Sequence, residues 1–86
     1  MKILVIGGTD GIGKVISDAF NATAVSSRTG HSVPEHVEDL IEMSFDYDVI
    51  VNCIPDDNQL LLLEKMLDAY RLNNKKTYFI TLGSLA

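Results

Sequence analysis

The 86 residues, 47% hydrophobic and 22% charged, suffice for one domain with a packed core, and no low-complexity segment or internal repeat interrupts them. The net charge of -5, with 7 Lys and Arg against 12 Asp and Glu, argues against a nucleic-acid partner, because neutralising phosphates needs clustered cations. The longest apolar runs, KILVI and LLLL, fall far short of the ~18 to 20 residues that span a bilayer. No signal-peptide pattern is present, so a cytoplasmic chain with no membrane partner is expected.

Lys2 to Ile6 is a short unbroken apolar run rich in Ile and Val, the pattern of a parallel strand covered on both faces. The stretch VIGGTDGIGK, Val5 to Lys14, then places Gly7, Gly8, Gly11 and Gly13 between that strand and a helix. Ile12, Val15, Ile16, Ala19 and Phe20 fall at i, i+3, i+4, i+7 and i+8, on one apolar face of that helix, with Lys14, Ser17 and Asp18 pointing away and Asn21 near its end. Thr23 to Ser27 is short and β-capable, and RTGHS after it has turn chemistry. Pro34 suits the first turn of a helix running to about Met43, with Glu35 near its positive end and Val37, Leu40 and Ile41 on its apolar stripe. The acids Glu35, Glu38, Asp39 and Glu42 then form its solvated face.

Asp48 to Ile54 is a second buried-strand run, closed by Pro55, Asp56 and Asp57, which suit a helix N-terminus. The helix that follows, to roughly Leu72, reads as a stripe of Leu60, Leu63, Leu67 and Tyr70, leaving Leu61, Leu62 and Met66 partly on another face. Thr77 to Leu82 is β-branched and aromatic, and Gly83 ends it. Strands alternating with helices predict an α/β domain over residues 1–86: a three-layer fold with a parallel sheet of about four strands and helices on both faces.

Glycines in this position serve either a tight strand-to-helix turn or a phosphate. Opening a helix directly after the first strand, they bring backbone N–H groups and the positive end of a helix dipole to one point, where a pyrophosphate would sit. GGTDGIG also has the TGxxxGxG spacing of the short-chain dehydrogenases/reductases, with Gly7, Gly11 and Gly13 on the glycine positions and Ile6 in place of the usual Thr. VSSR resembles the end of that family's second strand, DVIVNCIP its fourth strand with the NNAG motif, and YFITLGSLA its fifth, where Ser84 matches the catalytic serine. The similarity runs in order over nearly the whole chain and implies a Rossmann-like domain that binds a nicotinamide dinucleotide.

The resemblance implies cofactor contacts from Gly7, Thr9, Asp10, Gly11, Ile12, Gly13, Ser27, Arg28, Asn52 and Cys53. NADP(H) is expected over NAD(H), because Ser26, Ser27 and Arg28 follow the second strand with no adjacent acid, and an Arg there accommodates a 2′-phosphate. Read on its own, Arg28 is equally a solvated loop residue. Asp10 stands where NADP-preferring members often carry a base, and it opposes the phosphate unless it faces away to cap the helix.

Three departures from the family pattern limit what can be carried over. The family's third strand has only TGHSV to form it; Cys53, Ile54 and Pro55 replace Asn, Ala and Gly after Asn52. No YxxxK occurs: Tyr47, Tyr70 and Tyr78 are followed four residues later by Val51, Asn74 and Leu82, and core packing is expected of all three tyrosines. Without that proton donor Ser84 orients a carbonyl but supplies no general-acid catalysis, and is otherwise a terminal serine without a role. The single cysteine, Cys53, cannot close an internal disulfide, is expected to be a structural thiol, and shares no zinc-ligand spacing with His31 and His36, so no metal is expected.

Two functions remain open. One is an NADP(H)-binding oxidoreductase of short-chain type whose missing catalytic residues come from elsewhere. The other is a non-catalytic module of the same fold that works through self-association or protein partners. A homo-oligomer through the Leu60 to Tyr70 helix, the last strand, or both is expected, because one helix face is spare and the last strand is an open edge.

Overall fold

The computed structural model describes residues 1–7, 11–33, 35–54, 57–74 and 77–81, with Ser27 and Thr81 described by backbone alone. Along the chain lie β1 (Ile3–Ile6), α1 (Gly11–Phe20), β2 (Thr23–Val25), a short 3-10 turn (Ser27–Thr29), α2 (Val37–Ser44), β3 (Val49–Asn52), α3 (Asn58–Leu72) and β4 (Tyr78–Thr81). The strands form one four-stranded sheet in the order β2-β1-β3-β4. Every pairing is parallel, with Ile6 opposite Val25 on one side and Asn52 on the other, and Asn52 opposite Thr81. This is the expected α/β fold of small Rossmann-like form. Among the described residues no strand lies between β2 and α2, so the family's third strand has no counterpart there.

Strand residues alternate between the two faces of the sheet. Leu4, Ile6, Val25 and Ile50 point to one face, where they pack with Val37 and Leu40 of α2 and Leu62, Met66 and Tyr70 of α3. Tyr70 sits between Phe45 and Phe79 at ring-centroid distances of 4.9 and 5.0 Å. Its hydroxyl donates to the buried Ser44 Oγ at 2.8 Å, and Ser44 Oγ donates to the Ile41 carbonyl at 2.6 Å. Val5 and Val51 point to the opposite face, and α1 packs there against β1 and β2.

The direction of α1 corrects the sequence reading. Gly13 and Ser17 are its buried residues, while Ile12, Val15 and Phe20 are each about two-thirds exposed, at 64, 66 and 65%. The apolar face predicted for this helix is real, but it points outward. Two small residues four apart let the helix lie close on the sheet, and the chain path out of β1 fixes which side they occupy. Ser17 Oγ meets its hydrogen-bonding need inside the helix by donating to the Lys14 carbonyl at 3.1 Å.

α3 is rotated from its predicted stripe in the same way. Leu62, Met66 and Tyr70, at i, i+4 and i+8, are buried, and Leu60 and Leu67 are exposed. A spare apolar face is present, then, but it is made of the leucines assigned to the core. Tyr78 is a further correction: core packing holds for Tyr70, Tyr47 packs at the rim of the core, and Tyr78 is 75% exposed.

Candidate functional site

In a parallel sheet the carboxyl ends of all strands share one edge. Here that edge carries Gly7 after β1, the Ser27–Thr29 turn after β2, and Cys53 and Ile54 after β3. β1 is where the topology reverses: the connection to β2 runs over one face through α1, and the chain reaches β3 over the other through α2. Open α/β sheets bind ligands in the crevice at such a switch point.

Gly7 closes β1 with φ +80° and donates its N–H to the Val25 carbonyl at 2.7 Å. A Cβ on it would stand 3.1 Å from the carbonyl carbon and oxygen of Cys53 and 3.2 Å from the Ile54 nitrogen. Its bareness therefore lets β1 and the end of β3 lie against each other. Gly11 differs. It opens α1 with φ +57°, yet a Cβ there meets nothing within 4 Å. The first turn of α1 holds no acid to offset the positive end of the helix dipole. Open space beside the backbone N–H groups of a helix N-terminus suits an anion, and Gly11, Ile12 and Gly13 would present those groups to a phosphate.

After β2 the backbone is locked into a compact turn. The Ser26 carbonyl accepts from the N–H of Thr29 at 3.0 Å, the N–H of His31 at 2.9 Å and Thr29 Oγ1 at 2.9 Å. Arg28 donates its N–H to Ser26 Oγ at 3.1 Å and keeps its side chain exposed at the sheet edge. This fixes the Arg28 backbone beside the end of β2.

Asn52 is placed at the edge but faces inward. It is buried, its Nδ2 donates to the Gln59 carbonyl at 3.0 Å, and Gln59 Nε2 donates back to the Asn52 carbonyl at 3.2 Å. The side chain thus clamps the end of β3 to the first turn of α3. Gln59 is the residue sequence reasoning missed. No motif marks it, because the pairing spans a turn whose shape only the fold sets. Asn58 adds a second tie, donating from Nδ2 to the Val33 carbonyl at 3.1 Å. Cys53 is half-buried, its N–H donates to the Ile6 carbonyl at 2.8 Å, and burial pushes its thiol above the ordinary range, which fits a structural thiol.

Thr9, Asp10 and Ser84 lie outside the described residues, as do Pro34, Pro55 and Gly83. A cavity of about 570 Å³ between α2 and α3 includes none of the expected site residues. Among the described residues, no group of His, Cys, Asp or Glu gathers in metal-binding number, and no helix is long and apolar enough to cross a membrane. Comparison of the chain with protein-family models, with curated proteins and with solved structures finds no match.

Proposed function

We propose that the chain is a dinucleotide-binding module similar to the cofactor half of the short-chain dehydrogenases/reductases, taking NADP(H) in preference to NAD(H). One observation carries this reading: α1 begins with a left-handed glycine, open space and no acid in its first turn, at the switch point of a parallel sheet. Gly11, Ile12 and Gly13 would offer backbone N–H groups to the pyrophosphate, and Arg28 would face the 2′-phosphate as a planar, permanently charged donor. A bound NADPH supplies a hydride. This chain's residues hold and orient it, and turnover of a carbonyl requires a proton donor from elsewhere, since YxxxK does not occur.

Calorimetric titration with NADPH and NADH tests the reading. Micromolar binding of NADPH is expected, weakened roughly tenfold by Arg28→Ala, which removes one charge-assisted contact, and abolished by Gly11→Asp, which sets a carboxylate in the anion's place without a clash. No heat and no thermal stabilisation with either nucleotide at millimolar concentration would overturn it. The second reading, a non-catalytic module that self-associates through α3 or the last strand, is favoured by the exposed Leu60 and Leu67 on α3 and Tyr78 and Ile80 on β4.

A further inference from the structure

The α1 face of the sheet is half covered. α1 lies on β1 and β2, and among the described residues no helix lies above β4 on that side, while β3 beside it is partly covered, with Val51 buried and Val49 half-buried. Register places Tyr78 and Ile80 of β4 beside Val49 and Val51, on the α1 face, and they stay 75 and 47% exposed. Two strands at ~4.8 Å spacing make a strip about 10 Å wide, the diameter of one helix. Beside that strip stands a helix whose outer side is apolar: Ile12, Val15, Ala19 and Phe20 are all exposed. In a right-handed crossover, the general case for such units, helical geometry turns the Ile12, Ile16 and Phe20 flank of α1 toward the strip and the Lys14 and Asp18 flank toward the β2 edge. The half-buried Ile16, against Lys14 and Asp18 at 61 and 68% side-chain exposure, agrees with that orientation.

We infer that this face is closed by a second copy of the same chain. A two-fold axis parallel to the strands lays α1 of each copy on the β3–β4 strip of the other, so that two sheets enclose a layer of two helices. The α1 axes then run about 10 Å apart, the ordinary distance for packed helices. The surface is self-complementary, as a two-fold contact demands: it offers both the apolar helix and an apolar strip whose exposed part is Tyr78 and Ile80 of β4.

Area and charge both support a second copy as the occupant. Ile12, Val15, Phe20, Tyr78 and Ile80 alone expose on the order of 500 Å² of side-chain surface, a large share of the ~800 Å² per partner of a stable interface. Lys14 and Asp18, the charged residues of α1, pair with each other at 2.9 Å, which leaves the face neutral. The acids Glu35, Glu38, Asp39, Glu42, Glu64 and Asp68 lie on or beside α2 and α3, the opposite layer. Pairing through α1 keeps these acidic layers at the two far ends of the dimer, whereas pairing through α3 would oppose them.

Sedimentation and light scattering across the micromolar range test the dimer. The expected mass is twice the 9.5 kDa of the chain. Val15→Lys alone and Ile80→Glu alone should each weaken association at least tenfold with the helical circular-dichroism signal retained. Mixing the two variants should restore association, because the ammonium introduced on α1 of one chain would meet the carboxylate introduced on β4 of the other. Leu67→Lys on α3 should leave association unchanged. A chain that stays monomeric throughout, a dimer dispersed by Leu67→Lys but not by Val15→Lys, or a mixture that fails to reassociate would each overturn the inference.

Discussion

Replacing Gly7 by alanine separates a glycine that packing requires from one that leaves room. At φ +80° an L-residue is strained by roughly 1–2 kcal/mol. The added Cβ also meets the Cys53 carbonyl carbon and oxygen at 3.1 Å and the Ile54 nitrogen at 3.2 Å. These are backbone atoms, and the Cys53 N–H is tied to the Ile6 carbonyl at 2.8 Å, so the contact is relieved only by shifting the β1–β3 ladder, at about 1–3 kcal/mol. Gly7→Ala should therefore cost about 2–5 kcal/mol, a large fraction of the whole stability of a domain this size. Gly11→Ala carries the left-handed strain alone, since its Cβ meets nothing within 4 Å. The entropy that alanine removes from the unfolded chain is common to both and cancels in the comparison. With a urea slope near 1 kcal/mol per molar, the Gly7→Ala midpoint should fall by about 2 M or more and that of Gly11→Ala by about 1 M. Equal losses for the two variants would refute the assignment of Gly7 to packing.

Other substitutions read the remaining contacts. Met66→Ala should cost about 2–5 kcal/mol in urea unfolding, whereas Leu60→Ala, at an exposed position, should stay within about 0.5 kcal/mol. Asn52→Ala leaves the Gln59 carbonyl without its 3.0 Å partner and should lower stability by about 1–3 kcal/mol, with Gln59→Ala giving a smaller loss. Burial raises the Tyr70 phenol above its ordinary value of 10.0. The folded chain then holds this proton where the unfolded chain has lost it, so stability is intact below pH 10 and falls as pH rises through the folded value. Urea midpoints followed upward from about pH 8 should show a steeper alkaline decline in the native chain than in Tyr70→Phe, and parallel curves would show that Tyr70 makes no contribution to it.

The strands were legible because a parallel sheet covered on both faces asks for unbroken Ile, Leu and Val runs, and Ile3 to Ile6 and Val49 to Asn52 have them. α2 was legible for a related reason: Val37 and Leu40 lie on its apolar stripe and are also buried. Periodicity failed where it was ambiguous. The run Leu60 to Leu63 wraps around a helix, so it allows more than one stripe, and the pairing of Tyr70 with Ser44 and the fit of Met66 select the one through Leu62. The glycine turn could be read locally, since backbone conformation demands the residue type. The Asn52–Gln59 clamp could not, because nothing in either side chain announces a partner across a turn.

The inversion of α1 ties the two proposals to one structural cause and also lets them be separated. A hydrophobic stripe says that a helix has an apolar side, not which body covers it. Gly13 and Ser17 bring α1 down on its own sheet, which aims the start of the helix at the end of β1 and leaves Ile12, Val15 and Phe20 for a different surface. The proposed phosphate contacts would use the N-terminus of that helix, and the proposed dimer contacts would use its length. Val15→Lys acts on the length alone. A Val15→Lys chain that is monomeric and still binds NADPH as the native chain does would assign the glycine turn to the cofactor and the apolar stripe to the partner. A monomer that has lost NADPH while keeping its fold would instead mean that the site needs the second copy.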